Sequence, residues 1–286
     1  MTDVREHRLV LDDRPMLLLE GPAGWGECSP LPGYRCDPTA ARRAAWEAAT
    51  VGWPAPVRDA VPVNALVSAP TFDPAELASF RAVKVKVGRE SDVDLVAAVR
   101  DAAGPSVALR VDANGAWDLA SAERAIARLA RYDLELVEQP VASLDDLARL
   151  RRRVAVPLAA DESVRTLDDA RILRALGAAD VLVLKVQPSG GVRAALDLAD
   201  AAGVPAIASS MLETSVGVAA GLALAAALPE LPFACGLATV AARTTDVTLD
   251  RLVPTDGELR VRPVEPNPAL VARYSAPVRS AQETSS

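Results

Sequence analysis

The chain has 286 residues, half of them hydrophobic but only 3% aromatic, with a formal net charge of −7 and a single histidine, His7. That length holds one large α/β domain or two smaller ones, an α/β barrel alone taking about 250 residues, and it leaves Ala, Val and Leu to build the core. The acidic balance excludes nucleic acid as a partner, and the lone histidine excludes Ser-His-Asp and Cys-His hydrolases and histidine-rich zinc sites.

Met1–Val10 is charged throughout and lacks the apolar core of a signal peptide. Leu17–Leu19 reads as a strand, Gly21-Pro22-Ala23-Gly24 and Pro30-Leu31-Pro32-Gly33 as loops, and Thr39–Ala49 as a helix. From about Val61 onward, short apolar runs alternate with amphipathic stretches. The predicted strands are Val61–Val67, Ala82–Val87, Val107–Asp112, Leu134–Glu138, Pro157–Asp161, Val181–Lys185, Val204–Ala208 and Phe233–Leu237. Helical patterns lie between them at Asp92–Ala103, Leu119–Arg131, Leu144–Arg152, Leu167–Leu176 and Arg193–Ala202, with Ser91, Ser143 and Thr166 as predicted N-caps. Eight strands, each followed by a helix-sized connection, predict a (β/α)-barrel with right-handed crossovers.

Pro188-Ser-Gly-Gly191 invites comparison with a phosphate-binding helix start, but it lacks the lysine of a P-loop and reads better as a strand-to-helix turn. Val216–Leu228, 13 residues long and rich in Ala and Gly, predicts a buried helix that is too short for a membrane span. After Asp246 the chain returns to short strands and turns, with Thr255-Asp256-Gly257 as a hairpin and Glu258–Val264 beyond it. The expected organisation is a barrel over residues 61–245 beside a small α+β capping domain built from residues 1–60 and 246–286, whose polar end, Ser275–Ser286, is expected to be disordered. Cys28, Cys36 and Cys235 have neither metal-ligand spacing nor an even disulfide count, as expected of a reduced, cytoplasmic protein.

Lysine is scarce. Of 31 Lys and Arg residues only Lys84, Lys86 and Lys185 are lysines, and all three fall inside predicted strands. Arginine stays protonated at any usable pH, whereas a lysine amine can be tuned to give and take protons. Lys86, Asp112, Glu138, Asp161 and Lys185 follow one another at separations of 26, 26, 23 and 24 residues, one strand-helix unit each time. Singly, Asp112 reads as a turn residue, Glu138 as a loop residue, Asp161 as an N-cap and Lys185 as an edge-strand charge. Their common period brings them instead to the C-terminal ends of successive barrel strands, where side chains converge on one pocket.

Three carboxylates there suit a hard cation with oxygen ligands, Mg²⁺ with Mn²⁺ as a substitute. Without a cation they would repel one another. With one they form a Lewis-acid site for a small carboxylate substrate, which Lys86 and Lys185 approach from opposite faces. Lys84 shares a strand face with Lys86, and its charge together with the cation is expected to lower the Lys86 pKa toward that of a usable base. These parts describe proton abstraction alpha to a carboxylate.

On these residues the chain resembles the enolase superfamily, in which Lys or His bases work beside Mg²⁺. The Lys84-Val-Lys86 pair, the Asp112/Glu138/Asp161 triad and the lone Lys185 look like its muconate-lactonizing branch. Within that branch, Gly24–Tyr34, Arg110–Trp117, Val137–Pro140, Ala160–Ser163, Lys185–Gly191, Ser209–Gly217 and Gly236–Thr239 are most similar to the family of o-succinylbenzoate synthases. The resemblance implies that Lys86 removes the alpha proton of 2-succinyl-6-hydroxy-2,4-cyclohexadiene-1-carboxylate in menaquinone biosynthesis and that Lys185 stabilises the enediolate from the other face. It further implies that Lys84 and Asn114 contact the substrate, that Ser209 lies near the succinyl tail, and that the Trp25–Tyr34 loop closes over the site.

The roughly 60-residue segment before the barrel is shorter than that family's usual capping domain of about a hundred. An N-acylamino acid racemase would use the same site, with Lys86 and Lys185 exchanging one proton. Muconate cycloisomerase, a Schiff-base aldolase with Lys185 as nucleophile, and a non-catalytic barrel are weaker readings. The oligomeric state is not encoded in any motif.

Overall fold

The computed structural model describes residues 3–89 and 91–276. Apart from Ser275 and Ala276, the end expected to be disordered lies outside the described residues.

The chain opens with a three-stranded antiparallel sheet, β1 (Arg5–Leu11), β2 (Arg14–Gly21) and β3 (Gly24–Cys28), followed by helix α1 (Pro38–Thr50). Asp12 and Asp13 join β1 to β2 in a two-residue turn with both φ values positive (51° and 60°), a geometry that Asp tolerates and that matches strand twist. Alternation then divides the sheet. Leu9, Leu11, Met16 and Leu18 join the main core, while Leu19 packs with Ala45 and Ala49 of α1. α1 lies close because both surfaces are small. Its buried side chains are alanines, and a Cβ at Gly26 would stand 2.0 Å from the Ala45 carbonyl oxygen.

The barrel sheet is parallel and runs in chain order: β5 (Ala65–Val67), β6 (Ala82–Lys86), β7 (Ala108–Asp112), β8 (Leu134–Glu138), β9 (Leu158–Ala160), β10 (Val181–Lys185) and β11 (Ala206–Ser209). Before it, β4 (Ala60–Pro62) pairs antiparallel with β12 (Glu258–Arg260). The single strand predicted over Val61–Val67 is therefore two, broken at Val63-Asn64, where the chain leaves one sheet for the other. The connections carry α2 (Pro74–Leu77), α3 (Asp92–Ala103), α4 (Leu119–Leu129), α5 (Leu144–Arg151), α6 (Leu167–Leu176), α7 (Val186–Ser189), α8 (Val192–Ala202) and α9 (Ser215–Ala227).

The predicted eighth strand, Phe233–Leu237, shrinks to two residues. Cys235 N donates to Pro62 O (2.8 Å) and accepts Asn64 N through its carbonyl (2.9 Å), while Gly236 N donates to Ala208 O (2.9 Å). These bonds join the two edges of the sheet. Pro232 cannot donate to a ladder and Gly236 has no side chain to pack, so pairing goes no further. Leu136, Ala159, Val181, Val183 and Ile207 fill the barrel interior against Phe233.

Ser143 and Thr166 cap their helices as expected, the latter in a capping box with Asp169. Ser91 does not, because Asp92 instead accepts from Gly88 N and Arg89 N at 2.8 and 2.7 Å. The start of α8 holds the Glu47 carboxylate of α1, which accepts from Val192 N (2.7 Å); of the predicted turn, Pro188 and Ser189 instead close the short helix α7, and Gly190-Gly191 link it to α8. α9 is buried on every side, and among the described residues no helix is long and apolar enough to cross a membrane. Among the described residues the tail ends in α10 (Pro268–Tyr274), after which Ala276 N donates to Arg8 O of β1 (2.9 Å).

Gly26→Ala must push α1 off β3 and is expected to cost about 1–3 kcal/mol in chemical denaturation. A second expectation concerns Asp180, which accepts from Arg151 Nε (2.9 Å) and Leu158 N (2.9 Å) and so anchors β9. Partial burial works against its charge, but these hydrogen bonds win and hold the carboxyl below its usual range. Its stabilisation is therefore present above pH ~4 and lost as pH falls through the lower folded value. Asp180→Asn is expected to lower the melting temperature at pH 7, with the difference from the parent shrinking below pH ~4.

Candidate active site at the mouth of the barrel

The register of the sheet builds the site. Lys86 lies beside Asp112, Asp112 beside Glu138, and Lys185 beside Ser209 at the strand ends. Asp161 follows β9 directly. A cavity of about 1990 Å³ opens there, lined by Lys84, Lys86, Asp112, Asn114 and Lys185 together with the Tyr34 loop. Glu138 and Asp161 do not line the cavity themselves and lie just behind it, bonded to Lys84 and Lys185.

The charges are paired across strands. Lys84 Nζ donates to both oxygens of Glu138 (2.9 Å each) and lies 3.1 Å from Asp112 Oδ2. Lys86 Nζ donates to the same Asp112 oxygen (2.6 Å) and to Asn114 Oδ1 (2.8 Å). Lys185 Nζ donates to Asp161 Oδ2 and to the Tyr34 hydroxyl (3.1 Å), which in turn donates to Asp161 Oδ1 (3.0 Å). Asp112, Glu138, Asp161, Lys84 and Lys185 are all buried, while the Lys86 side chain is 34% exposed and open to the cavity.

Burial would raise the Asp112 pKa, but Lys84 and Lys86 hold it well below the usual carboxylate range. Glu138 goes the other way. Burial, reinforced by the Asp112 charge, pushes its carboxyl up to about 8 despite Lys84. Burial would lower the pKa values of Lys84 and Lys185. The carboxylates win in both cases, Glu138 then Asp112 for Lys84 and Asp161 for Lys185, and both amines are held above their ordinary value.

Among the described residues, no three acidic side chains close around a point as a finished cation cage. Each carboxylate faces a lysine instead. The donor set nevertheless fits a hard divalent cation. Asp112, Glu138 and Asp161 offer only oxygen, and their negative charge already draws the nearest cationic groups. Glu162, on the same rim, has a buried carboxylate oxygen without a hydrogen-bond partner.

Three residues here escape single-residue reading. Tyr34 comes from the N-terminal segment and lies over the Lys185 ammonium, 4.8 Å from ring centre to Nζ. Glu162 accepts from Asn114 Nδ2 (2.8 Å), and Gln139 binds the Asp161 backbone. Gln139 and Glu162 directly follow the predicted ligands Glu138 and Asp161, and that adjacency was the available signal. The resemblance implied that the loop ending at Tyr34 closes over the site, but its bonds to Lys185 and Asp161 show only once the loop is folded back. Trp117 is a packed aromatic whose indole donates to Gly88 O (3.3 Å), and Ser209 is buried beside Gly236.

A barrel whose strand ends present lysines on either side of buried carboxylates, capped by an N-terminal sheet and helix, defines an enolase-type enzyme. The family described as Enolase C-terminal domain-like matches residues 73–266, and Enolase N-terminal domain-like matches residues 8–51. The muconate lactonizing enzyme from Pseudomonas putida shares the fold, with a TM-score of 0.83 over 96% of this chain and 99% of that one at 22% identity. An o-succinylbenzoate synthase from Thermobifida fusca is 54% identical over 266 residues, 88% of this chain and 83% of the relative. Another, from Mycolicibacterium smegmatis, is 46% identical over 92% of this chain and 85% of that relative. The chain belongs to the o-succinylbenzoate synthase family of the enolase superfamily.

Lys84 is the counter-charge shared by two buried carboxylates, and Lys84→Met leaves them facing one another. In metal-free protein this is expected to cost about 3–5 kcal/mol in urea denaturation.

Proposed function

We propose that the mouth of the barrel dehydrates 2-succinyl-6-hydroxy-2,4-cyclohexadiene-1-carboxylate to 2-succinylbenzoate, the step of menaquinone biosynthesis that the family resemblance implies, with Lys86 as the base. The observation that carries the reading is the pairing of Lys86 and Lys185 with carboxylates on opposite sides of one cavity. Superfamily membership implies a divalent cation, and we take Mg²⁺, with Mn²⁺ as a substitute, held by Asp112, Glu138 and Asp161. When bound, the cation supplies Lewis-acid stabilisation of negative charge on the substrate carboxylate.

The residues do the rest. Lys86, as the free amine, takes the alpha proton, and its exposed position lets it reach substrate in the cavity. The electron pair moves into the carboxylate as an enediolate. Lys185, which the Asp161 carboxylate keeps protonated against the effect of burial, faces the opposite side and stabilises that charge. Collapse of the enediolate expels the hydroxyl group, which leaves as water by taking back the proton that Lys86 had accepted, and the ring becomes aromatic. Asn114 fixes the Lys86 amine, and Lys84 keeps Asp112 ionised and holds Glu138 in place. The Tyr34 loop covers the Lys185 side and limits water. In this reading the enzyme is cytoplasmic, acts on a small carboxylate, and meets neither nucleic acid nor membrane.

Racemisation of N-acylamino acids would use the same two lysines, so both reactions belong in one test. Formation of 2-succinylbenzoate is expected to be abolished by EDTA, restored by Mg²⁺, and reduced at least ~10³-fold in Lys86→Ala. Full dehydration by Lys86→Ala would overturn the role of the base. Racemisation of N-succinyl amino acids as the sole activity would overturn the substrate assignment.

A further inference from the structure

Gln139 follows Glu138 on the loop after β8, and it is 1% exposed. Its backbone sits at φ 37°, a left-handed conformation that a glutamine keeps only when its surroundings hold it there. Both ends of its carboxamide are bonded. Oε1 accepts from Asp161 N (2.6 Å), Ser163 N (3.3 Å) and Ser163 Oγ (3.0 Å), and Nε2 donates to Val141 O (2.6 Å). Two donors are backbone amides, so the orientation of the amide is fixed. The backbone of the same residue donates to Ala159 O (2.8 Å) and accepts from Gly115 N (2.6 Å). One residue therefore ties together the loops after β7, β8 and β9, the three strands that deliver Asp112, Glu138 and Asp161.

The bond to Asp161 falls on its backbone amide, so Gln139 does not compete for the carboxylate, whose partners are Lys185 and Tyr34. Deleting the carboxamide would orphan the buried Asp161 amide and the half-buried Ser163 amide and release the segment that carries Asp161 from the loop that carries Glu138. We infer that Gln139 is a positioning residue of the divalent-cation site. It sets the separation of the Glu138 and Asp161 carboxylates before the cation arrives, while touching neither cation nor substrate. The inference rests on the proposed assignment of Asp112, Glu138 and Asp161 as ligands and adds the residue that preorganises them.

Mn²⁺ titration of the purified protein by calorimetry tests it. Gln139→Gly deletes the carboxamide and keeps the positive φ accessible. Its Mn²⁺ Kd is expected to weaken by about 10–100-fold. The metal-free melting temperature is expected to fall with the lost hydrogen bonds, while kcat recovers at saturating Mn²⁺, a recovery that a merely structural role would not give. Unchanged Mn²⁺ affinity in folded Gln139→Gly overturns the inference. If that variant does not fold, Ser163→Ala removes one partner of Oε1 and is expected to weaken binding by about threefold; parent-like affinity there overturns it equally. Asp161→Asn separates the two levels. Parent-like Mn²⁺ binding in Asp161→Asn sinks the ligand assignment and this inference with it, whereas weak binding there beside unchanged binding in Gln139→Gly sinks the inference alone.

Discussion

Like charges buried together need a counter-charge, and this constraint organises the molecule. Asp112 and Glu138 occupy neighbouring strand ends with almost no access to water, where two ionised carboxylates raise one another's proton affinity. Lys84 bridges them from the strand alongside, and Lys185 does the same for Asp161 two strands further on. The mouth is therefore a lattice of alternating charge in which each amine is held by the acids it neutralises. A divalent cation entering such a lattice competes with ammonium groups rather than filling a void, so binding the metal and freeing an amine become linked events.

The N-terminal segment makes the mouth a closed place. Its sheet and α1 are joined by small residues, and the Glu47 carboxylate reaches out of α1 to the start of α8. Glu27, at the end of the same sheet, accepts from Thr214 Oγ1 (2.5 Å) and Gly217 N (2.9 Å) at the start of α9. Two barrel helices thus have carboxylates from the N-terminal segment at their positive ends. These anchors hold the loop that brings Tyr34 over Lys185.

Much of this was legible before folding because barrels repeat. The periodic spacing of Lys86, Asp112, Glu138, Asp161 and Lys185 survives as neighbouring positions on the sheet, since one strand-helix unit is one step around the barrel. Leu167–Leu176 was bounded by its own pattern and its Thr166 cap, and Asp92–Ala103 by its pattern alone. The losses came where tertiary context decides. Val61–Val67 looks like one strand because both halves are apolar, yet its halves serve different sheets. Phe233–Leu237 has a strand's composition, but the gap left to be closed needs only two residues of pairing. Tyr34 and Gln139 owe their importance to contacts with residues far along the chain, which no local pattern encodes.

The scarcity of lysine carries one more consequence. All three lysines of the sequence stand in the mouth, and the rest of the basic charge is guanidinium. The positive part of the outer surface therefore holds constant across any alkaline range in which the fold survives. Of the side-chain amines, two are locked behind carboxylates and only Lys86 faces the cavity with appreciable exposure. The protein thus carries a nearly unique electrophile target at its reactive centre, and an amine-selective probe would read the occupancy of the mouth against a background silent except for the chain's own α-amine.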